Sequence, residues 1–477
     1  MQNNKARRPQ LSTSQAQQFS AIKVLEYTGE IGAERFDPWD PEGDDFMRGR
    51  ASIKADFLVS TVADQNSKTQ FSSIQAAVDA AIYSAIKKQS SARIYIKIDR
   101  GSYQGLVFVP KLEINNQCVP ITLFADDANA TSIVENIDAQ MPATEFARRF
   151  AEHFAASHSL VQEMYLPIAQ LKAEISTFNA SVLRIANEGF QLKGVRVINS
   201  YHCDRFLPNA SGGQQLKNSA GQFLDGQHQA VALLIAGADK VHVADVQLSS
   251  FQDTLFLREP GPFETARSYF KNCFIEGDID FIFGQTTAFF TQCEIRSRGT
   301  RATMTYMSAP STNIDAKYGL VFDDCDFTHD GSENALKGVF SLGRQWFEGV
   351  RCTPYSQSPI VDYQCKLGVI SQYDSPPIGS ISRKTIFSVG KCIILHSRIG
   401  EHINFSAPWS EWSGGEFSTA GVYLSAAWKT RFRPVQYCLD DMIGHLENWV
   451  DAPLLTLEKR DKTATWIAEY QNTDVSG

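Results

Sequence analysis

The sequence predicts an all-β chain wound as a parallel β-helix, with an N-terminal capping helix and a helical insertion, on three observations. First, short segments recur from about residue 190: RVINSYHC (196–203), HVADVQLS (242–249), YFKNCFIE (269–276), FFTQCEIR (289–296), VFDDCDFT (321–328) and FSVGKCIIL (387–395). Each alternates apolar and polar residues and sets Asn, Asp, Gln or Lys before a small apolar residue. Second, the spacing is uneven: Asp245 to Asn272 is 27 residues, Asn272 to Gln292 is 20 and Gln292 to Asp324 is 32. A solenoid accepts this, because each coil contacts only its neighbours and its loops can vary. Third, one clear helix stands ahead of the strands, FSSIQAAVDAAIYSAIKK (71–88), with Ile74, Val78, Ile82 and Ala85 on one face. A β-sandwich also gives frequent short strands, but its turns are usually shorter and rich in Asn-Gly or Asp-Gly.

The elements follow in chain order. Residues 1–50 are polar and read as an irregular N-terminal segment, with turn-rich FDPWDPEGDD at 36–45. Residues 51–477 read as a single catalytic β-helix domain. After the helix at 71–88 come a strand, RIYIKI (93–98), and then a turn and strand in GSYQGLVFVP (101–110). Between 139 and 180 the period changes. Phe146, Phe150 and Phe154 recur every four residues, and Met164, Ile168 and Leu171 continue the apolar face. This predicts a helical insertion, one helix or two, between strands.

The bulk composition excludes some function classes. The chain has 477 residues, 43% hydrophobic and 21% charged, with a formal net charge of -8. No basic block is present, so nucleic acid is not an expected partner. No run of about 18 apolar residues occurs, so no membrane span is expected. The N-terminus MQNNKARRPQLSTSQAQQF lacks an apolar core and is not an intact signal peptide. That leaves a cytosolic protein, or an exported one whose signal has been removed. Nine cysteines leave at least one unpaired, and neither C-x-x-C nor H-E-x-x-H occurs. No metal or cofactor is expected. None of the nine histidines has a partner at useful spacing. N-x-S/T triplets at Asn129, Asn179, Asn209 and Asn404 are no more than chance supplies.

Coil stacking turns sequence spacing into a ruler. Positions one coil apart lie roughly 4.8 Å apart. Gln229 in QAVAL (229–233), Gln252 and Asp253 in SFQDTLF (250–256), and Asp280 in EGDIDFIFG (276–284) fall on successive coils. They can line one outer column. Two carboxylates at that distance resist ionising together, so one keeps its proton while the other attacks a carbonyl carbon. The Gln amides can stabilise the resulting oxyanion. Arg344 in LGRQW (342–346) can hold Asp280 charged through a planar two-point contact. Trp346, two residues on, can offer a flat surface to a sugar ring. Each residue also has a plainer reading: turn or solvated strand aspartates, a ladder glutamine, a surface ion pair, a packed tryptophan. Joint spacing favours the catalytic set. Both carboxylates are expected to face solvent, so their removal should not unfold the chain.

QAVAL, QDT, DFIFG and LGR-x-W, in this order and spacing, resemble the pectin methylesterase (pectinesterase) family, in its bacterial form. GSY at 101–103 is similar to the family's early G-x-Y, and the helix at 71–88 to its N-terminal cap. The likeness covers roughly residues 55–430. It implies a right-handed parallel β-helix that demethylates polygalacturonate and releases methanol. Asp280 would be the nucleophile and Asp253 the general acid and then base. Gln229 and Gln252 would form the oxyanion site, Arg344 would orient Asp280, and Trp346, Phe256, Phe283 and Trp409 would bind substrate. A disulfide between Cys273 and Cys293 is implied in the same way; the other reading is a column of small buried hydrophobes that includes Cys325. The resemblance also implies a monomer, secreted or held in the cell envelope, acting on plant cell wall polysaccharide. Asp278 reads as solvated, and Asp323, Asp324 and Asp326 as an acidic surface strand rather than a calcium site. The chain departs from the family at Gly105, where Glu is usual, and at Leu234, where Arg is common. Some bacterial relatives resemble thioesterases or have lost the QDT carboxylate. A thioesterase or small-ester esterase, and a glycan-binding solenoid without catalysis, are therefore the alternatives. The retained carboxylate pair favours an esterase.

Overall fold

The computed structural model of the chain describes residues 8–475, apart from 65–66, 208–215, 225, 262, 347–365, 368–379, 382–385, 415, 418–422, 425–430, 446–459 and 463. Three parallel sheets of 11, 9 and 8 strands wind around one core, each coil giving one strand to each sheet. One coil runs Val241–Ala244, Gln247–Ser249 and Leu255–Arg258, and then re-enters the first sheet at Arg267–Lys271. Val241 then lies beside Ser268, and Phe270 beside Phe290 in the coil after. This is a parallel β-helix, as the repeats predicted.

Like residues stack through the core. The rings of Phe270, Phe290 and Phe322 lie in one column with centroids 4.5 Å apart at each step. Burying each such ring contributes about 2–3 kcal/mol. The polar residue inside each repeat has a geometric cause. Asp245, Asn272, Gln292 and Asp324 take φ of 57°, 51°, 54° and 56°, the left-handed corner between the first sheet and the second. Asn and Asp tolerate that conformation better than most residues. Four of the six segments thus hold two strands and a corner rather than one strand. The other two are out of phase. Their coils turn at Gly194 (φ 65°) and at His396 (φ 46°), while Cys392 lies beside Leu320 within the first sheet.

Cys273, Cys293 and Cys325 follow three of these corners and point into the core, each about 98% buried or more. The implied disulfide is not formed: all seven cysteines among the described residues are free thiols. Cys273 donates to the carbonyls of Val243 and Lys271, and Cys293 to those of Phe270 and Thr291. The three thiols stack as neighbours in one buried column, the alternative reading of small buried hydrophobes, and each also donates to backbone carbonyls.

The helix Ile74–Lys88 starts at an Ser73 cap, ends at left-handed Gln89, and buries Ile74, Val78, Ile82 and Ala85 as predicted. The insertion is two helices, Ala143–Phe154 and Ser159–Ala169. Phe146, Phe150 and Phe154 are buried, with Phe154 stacked 4.9 Å from Phe108. The insertion also accounts for Gly105. There φ is +121°, and a Cβ would come 2.7 Å from the His153 ring, whose Nε2 lies 2.7 Å from the Leu106 carbonyl.

The N-terminal segment is more ordered than expected. It forms short helices at Thr13–Ala16 and Ala21–Val24, and a strand, Tyr27–Glu30, pairs antiparallel with Glu264–Thr265. The cause lies on the first sheet, whose outer face carries Tyr269, Phe289, Val321 and Ile393. Leu11, Val24 and Leu25 cover that face. Leaving it open would expose a broad apolar patch.

Gly284 fixes how closely two site-bearing coils approach. Its φ is +134°, and a Cβ there would lie 2.0 Å from the Leu257 carbonyl oxygen. Gly284→Ala is expected to cost about 2–4 kcal/mol, read as a lower urea midpoint, by shifting the strand that follows Asp280.

Candidate active site

The third sheet carries the site on its outer face. Phe256 on Leu255–Arg258 lies beside Phe283 on Ile282–Gly284, and Leu255 beside Ile282. Two residues before that pair, Asp253 and Asp280 lead into the same two strands, with the Asp253 N–H bonded to the Ile279 carbonyl at 3.0 Å. Both aspartates take left-handed backbone angles, φ 68° and 51°. Non-glycine residues in that region carry strain that packing must hold, and such residues gather at functional sites. The conformation turns both carboxylates toward one cavity of about 670 Å³, which Gln229, Gln252, Arg344 and Trp346 also line.

Arg344 grips Asp280 with two parallel bonds, Nε to Oδ1 at 2.8 Å and Nη2 to Oδ2 at 2.6 Å. Such a fork fixes carboxylate orientation as well as charge. The guanidinium is itself sandwiched, 4.0 Å from the Tyr306 ring centre and 4.3 Å from that of Trp412. Asp253 has no such partner. Burial first, and then the negative charge of Asp280, push its pKa well above the ordinary carboxylate range, while Arg344 pulls the other way. Burial and the neighbouring carboxylate thus favour the protonated form of Asp253, while Asp280 is the one that Arg344 grips.

Gln229 and Gln252 form a parallel bridge on adjacent coils. The Gln252 side-chain oxygen accepts from the His228 N–H at 3.2 Å, which leaves its NH₂ group for the cavity. The Gln229 amide donates to Gln227 Oε1 at 2.8 Å, leaving its second N–H. Phe256 and Phe283 stack 4.2 Å apart and form an apolar floor, and Trp346 meets Phe283 edge-on at 5.9 Å.

Three readings are corrected. Trp409 does not line the cavity; it lies beside inward-facing Gly343 and is buried in the main core, while Ser410 takes the outward place beside Arg344. Trp412, three residues on, reaches the cavity instead. Asp278 is not solvated but fully buried, paired with Arg301 Nε at 2.9 Å. Asp253 and Asp280 are 7% and 8% exposed, cavity-floor groups rather than solvent-facing ones. Asp323 and Asp326 lie on the surface as expected, Asp323 hydrogen-bonded to His396 Nδ1 at 2.7 Å and Asp326 paired with Arg398. The triplet at Asn209 lies outside the described residues. Leu234, where Arg is common in the family, joins Val231, Phe256 and Phe283 in the apolar floor.

Sequence reasoning missed Tyr306, Trp412, Arg301, Phe178 and Arg258, all of which line the cavity. Trp412 follows Trp409 by three residues, and its spacing from Pro408 could have suggested a turn. Tyr306 belongs to Tyr306–Pro310, one coil before Arg344, and its register was the available signal.

Comparison with known proteins follows the same geometry. The pectinesterase family profile matches residues 209–366. A pectinesterase of Ralstonia solanacearum is 30% identical over 416 residues, 86% of each chain. Pectinesterase B of Dickeya dadantii is 30% identical over 362 residues, 73% of this chain and 75% of that one. Among solved structures, the rice weevil pectin methyl esterase superposes with a TM-score of 0.64 at 24% identity, covering 98% of both chains. A pectin methylesterase mutant in complex with a hexasaccharide gives 0.54 at 20% identity, over 89% and 90% of the two chains.

Proposed function

The chain belongs to the pectinesterase family and is a carboxylic ester hydrolase, and from that premise we propose that it demethylates polygalacturonate with Asp280 as nucleophile and Asp253 as general acid and then base. The observation that carries this reading is the forked Arg344–Asp280 pair beside a buried carboxyl whose burial favours its protonated form.

The ester carbonyl lies over Asp280, with the sugar against Phe256, Phe283 and Trp346. An Asp280 oxygen attacks the carbonyl carbon, and the carbonyl oxygen becomes an oxyanion. The free amide N–H groups of Gln229 and Gln252 stabilise that charge, and the enclosed site strengthens the effect. As the tetrahedral centre collapses, the C–O bond to methoxide breaks and Asp253 gives its proton to the leaving oxygen. Methanol departs, leaving an anhydride between substrate and Asp280. Asp253, now charged, takes a proton from water as that water attacks the substrate carbonyl of the anhydride. Asp280 leaves as carboxylate and Asp253 is reprotonated. The product acid then ionises, so one ester and one water give one methanol, one carboxylate and one proton.

Arg344 holds the nucleophile aimed throughout by its two-point contact. The reading takes the enzyme as a monomer. It also places it outside the cytoplasm, because an intact wall polymer does not enter a cell; cell fractionation checks this. Among the described residues no helix is long and apolar enough to cross a membrane.

The test is methanol release with matching alkali uptake on highly esterified pectin. The expected result is equal amounts of the two. Folded protein that leaves pectin untouched but hydrolyses an acyl-CoA thioester would replace this reading with the small-acyl one.

A further inference from the structure

A second cavity lies on another face of the solenoid. It opens on the outer side of the first sheet, whereas the catalytic cavity stands on the third. The outward column of the first sheet runs Thr122, Gln191, His242, Tyr269 and Phe289 through in-register strands. The N-terminal segment covers the apolar part of that column, from Tyr269 onward. Ahead of Tyr269 the column turns polar, and there the cover stands off. The gap is a cavity of about 710 Å³, lined by Trp39 and Asp44 of the segment and by Arg93, Gln191, Lys240 and His242 of the coils. Small-molecule sites usually measure about 300–1,000 Å³. Trp39 and Asp44 come from the turn-rich FDPWDPEGDD (36–45), a motif that the catalytic chemistry leaves unused.

The lining combines both charges with one aromatic ring. Lys240 pairs with Asp37 at 2.9 Å. Asp44 accepts from the Phe46 and Met47 N–H groups at 3.0 Å each, and from the Gln191 amide at 2.6 Å. Arg93 donates from Nη1 to Thr122 Oγ1 at 3.1 Å and forms no ion pair among the described residues. His242 is 3% exposed, and its Nε2 is buried with no hydrogen-bond partner. Buried polar atoms are nearly always satisfied, so this nitrogen calls for a group that the protein itself does not supply. Burial lowers the His242 pKa to about 4, so the ring is neutral at neutral pH. A charged ligand would meet a like charge here, in Asp44 or in Arg93. A neutral polyol meets neither, because its hydroxyls donate to one and accept from the other. The half-buried Trp39 offers such a ring a flat apolar face.

We propose that this cavity is a second saccharide site, holding one uncharged sugar ring against Trp39 with its hydroxyls on Arg93, Gln191 and His242. The inference goes beyond the esterase reading, because the site touches none of the catalytic groups and stands on a different face. On a polysaccharide it anchors a neutral unit away from the ester being cut. That lengthens residence on the polymer and leaves the bond-breaking step unaltered.

The test uses wild type, Trp39→Ala and His242→Phe; the second variant keeps an aromatic ring beside Tyr269 but removes the nitrogen. Saturation-transfer NMR measures binding of D-galactose, D-glucose and D-xylose, with D-galacturonic acid as the charged comparison. Wild type is expected to bind at least one neutral sugar, and to bind it more tightly than the uronic acid. Trp39→Ala is expected to weaken that binding about tenfold, the scale of losing one stacking face. His242→Phe should weaken it by a similar factor, while kcat for methanol release stays at the wild-type value in both. If Trp39→Ala fails to fold, His242→Phe gives the same readouts. The site is overturned if wild type binds no neutral sugar, if binding is unchanged in the folded variants, or if the uronic acid is preferred. A wild type that releases no methanol, yet binds a neutral sugar that Trp39→Ala loses, would sink the esterase reading and leave this site standing.

Discussion

Asp280→Asn is expected to reduce methanol release by roughly 10⁴- to 10⁶-fold, the scale of losing a covalent nucleophile. The amide is nearly the same size, but its oxygen carries no charge with which to attack a carbonyl. The neighbouring Asp253 lacks the two-point Arg344 contact that aims Asp280, and its burial favours the protonated form. A second effect accompanies the first. Asp280 is 8% exposed and its two bonds to Arg344 are short. An asparagine keeps one acceptor for Arg344 and drops the opposite charge, which costs about 1–3 kcal/mol of stability. The assay therefore runs beside a melting curve, at a temperature where the variant is folded. A folded Asp280→Asn protein that still turns over pectin at an appreciable rate would remove Asp280 from the nucleophile's role.

Much of this architecture was legible in the residues, and the misses have physical causes. The αL corners write Asn, Asp and Gln into the repeats at Asp245, Asn272, Gln292 and Asp324, so a period of uneven length was visible without any structure. Two coils hid because their corners are Gly194 and His396, which do not share that pattern. The ordered N-terminal segment was also foreshadowed. Adjacent apolar residues at Tyr269–Phe270, Phe289–Phe290 and Val321–Phe322 cannot both face the core of one strand. The outward member of each pair needed a cover, and Leu11, Val24 and Leu25 provide it.

The cavity was legible where strands carry it and obscure where loops do. Gln229, Gln252 with Asp253, and Asp280 fall on successive coils and Arg344 two coils further on, so register alone assembles them. Trp409 and Trp412 show the limit. The strand at Trp409–Ser410 sends the first tryptophan inward beside Gly343, and only the turn beyond it brings the second over Arg344. Burial was the other blind spot. Outward side chains on an open solenoid should be wet, but Phe178 from the insertion and Tyr306, Trp346 and Trp412 wall the cavity, leaving both aspartates mostly enclosed.

Asp253→Asn should slow methanol release by about 10²–10⁴-fold, the usual contribution of a positioned proton donor and acceptor, yet should not destabilise the fold. The asparagine cannot supply the proton that methoxide needs or take one from the attacking water. For stability the sign follows from linkage. The folded pKa of Asp253 is raised above the unfolded value of about 3.9 by burial and by the charges of Asp280 and Asp278. The unfolded chain therefore releases this proton first as pH rises. The contribution of Asp253 to stability is complete below the unfolded pKa and is lost progressively as pH climbs from there toward the folded pKa. Asparagine has no proton to lose, so the variant should match wild type at acid pH and melt at a higher temperature as pH rises. The wild-type rate should fall on the alkaline side as Asp253 ionises, because the acid is then spent before the leaving group departs. A variant that melts below wild type across the whole range, or a rate that climbs with pH through that same interval, would mean that Asp253 sits there charged, and the division of labour between the two aspartates would have to be reversed.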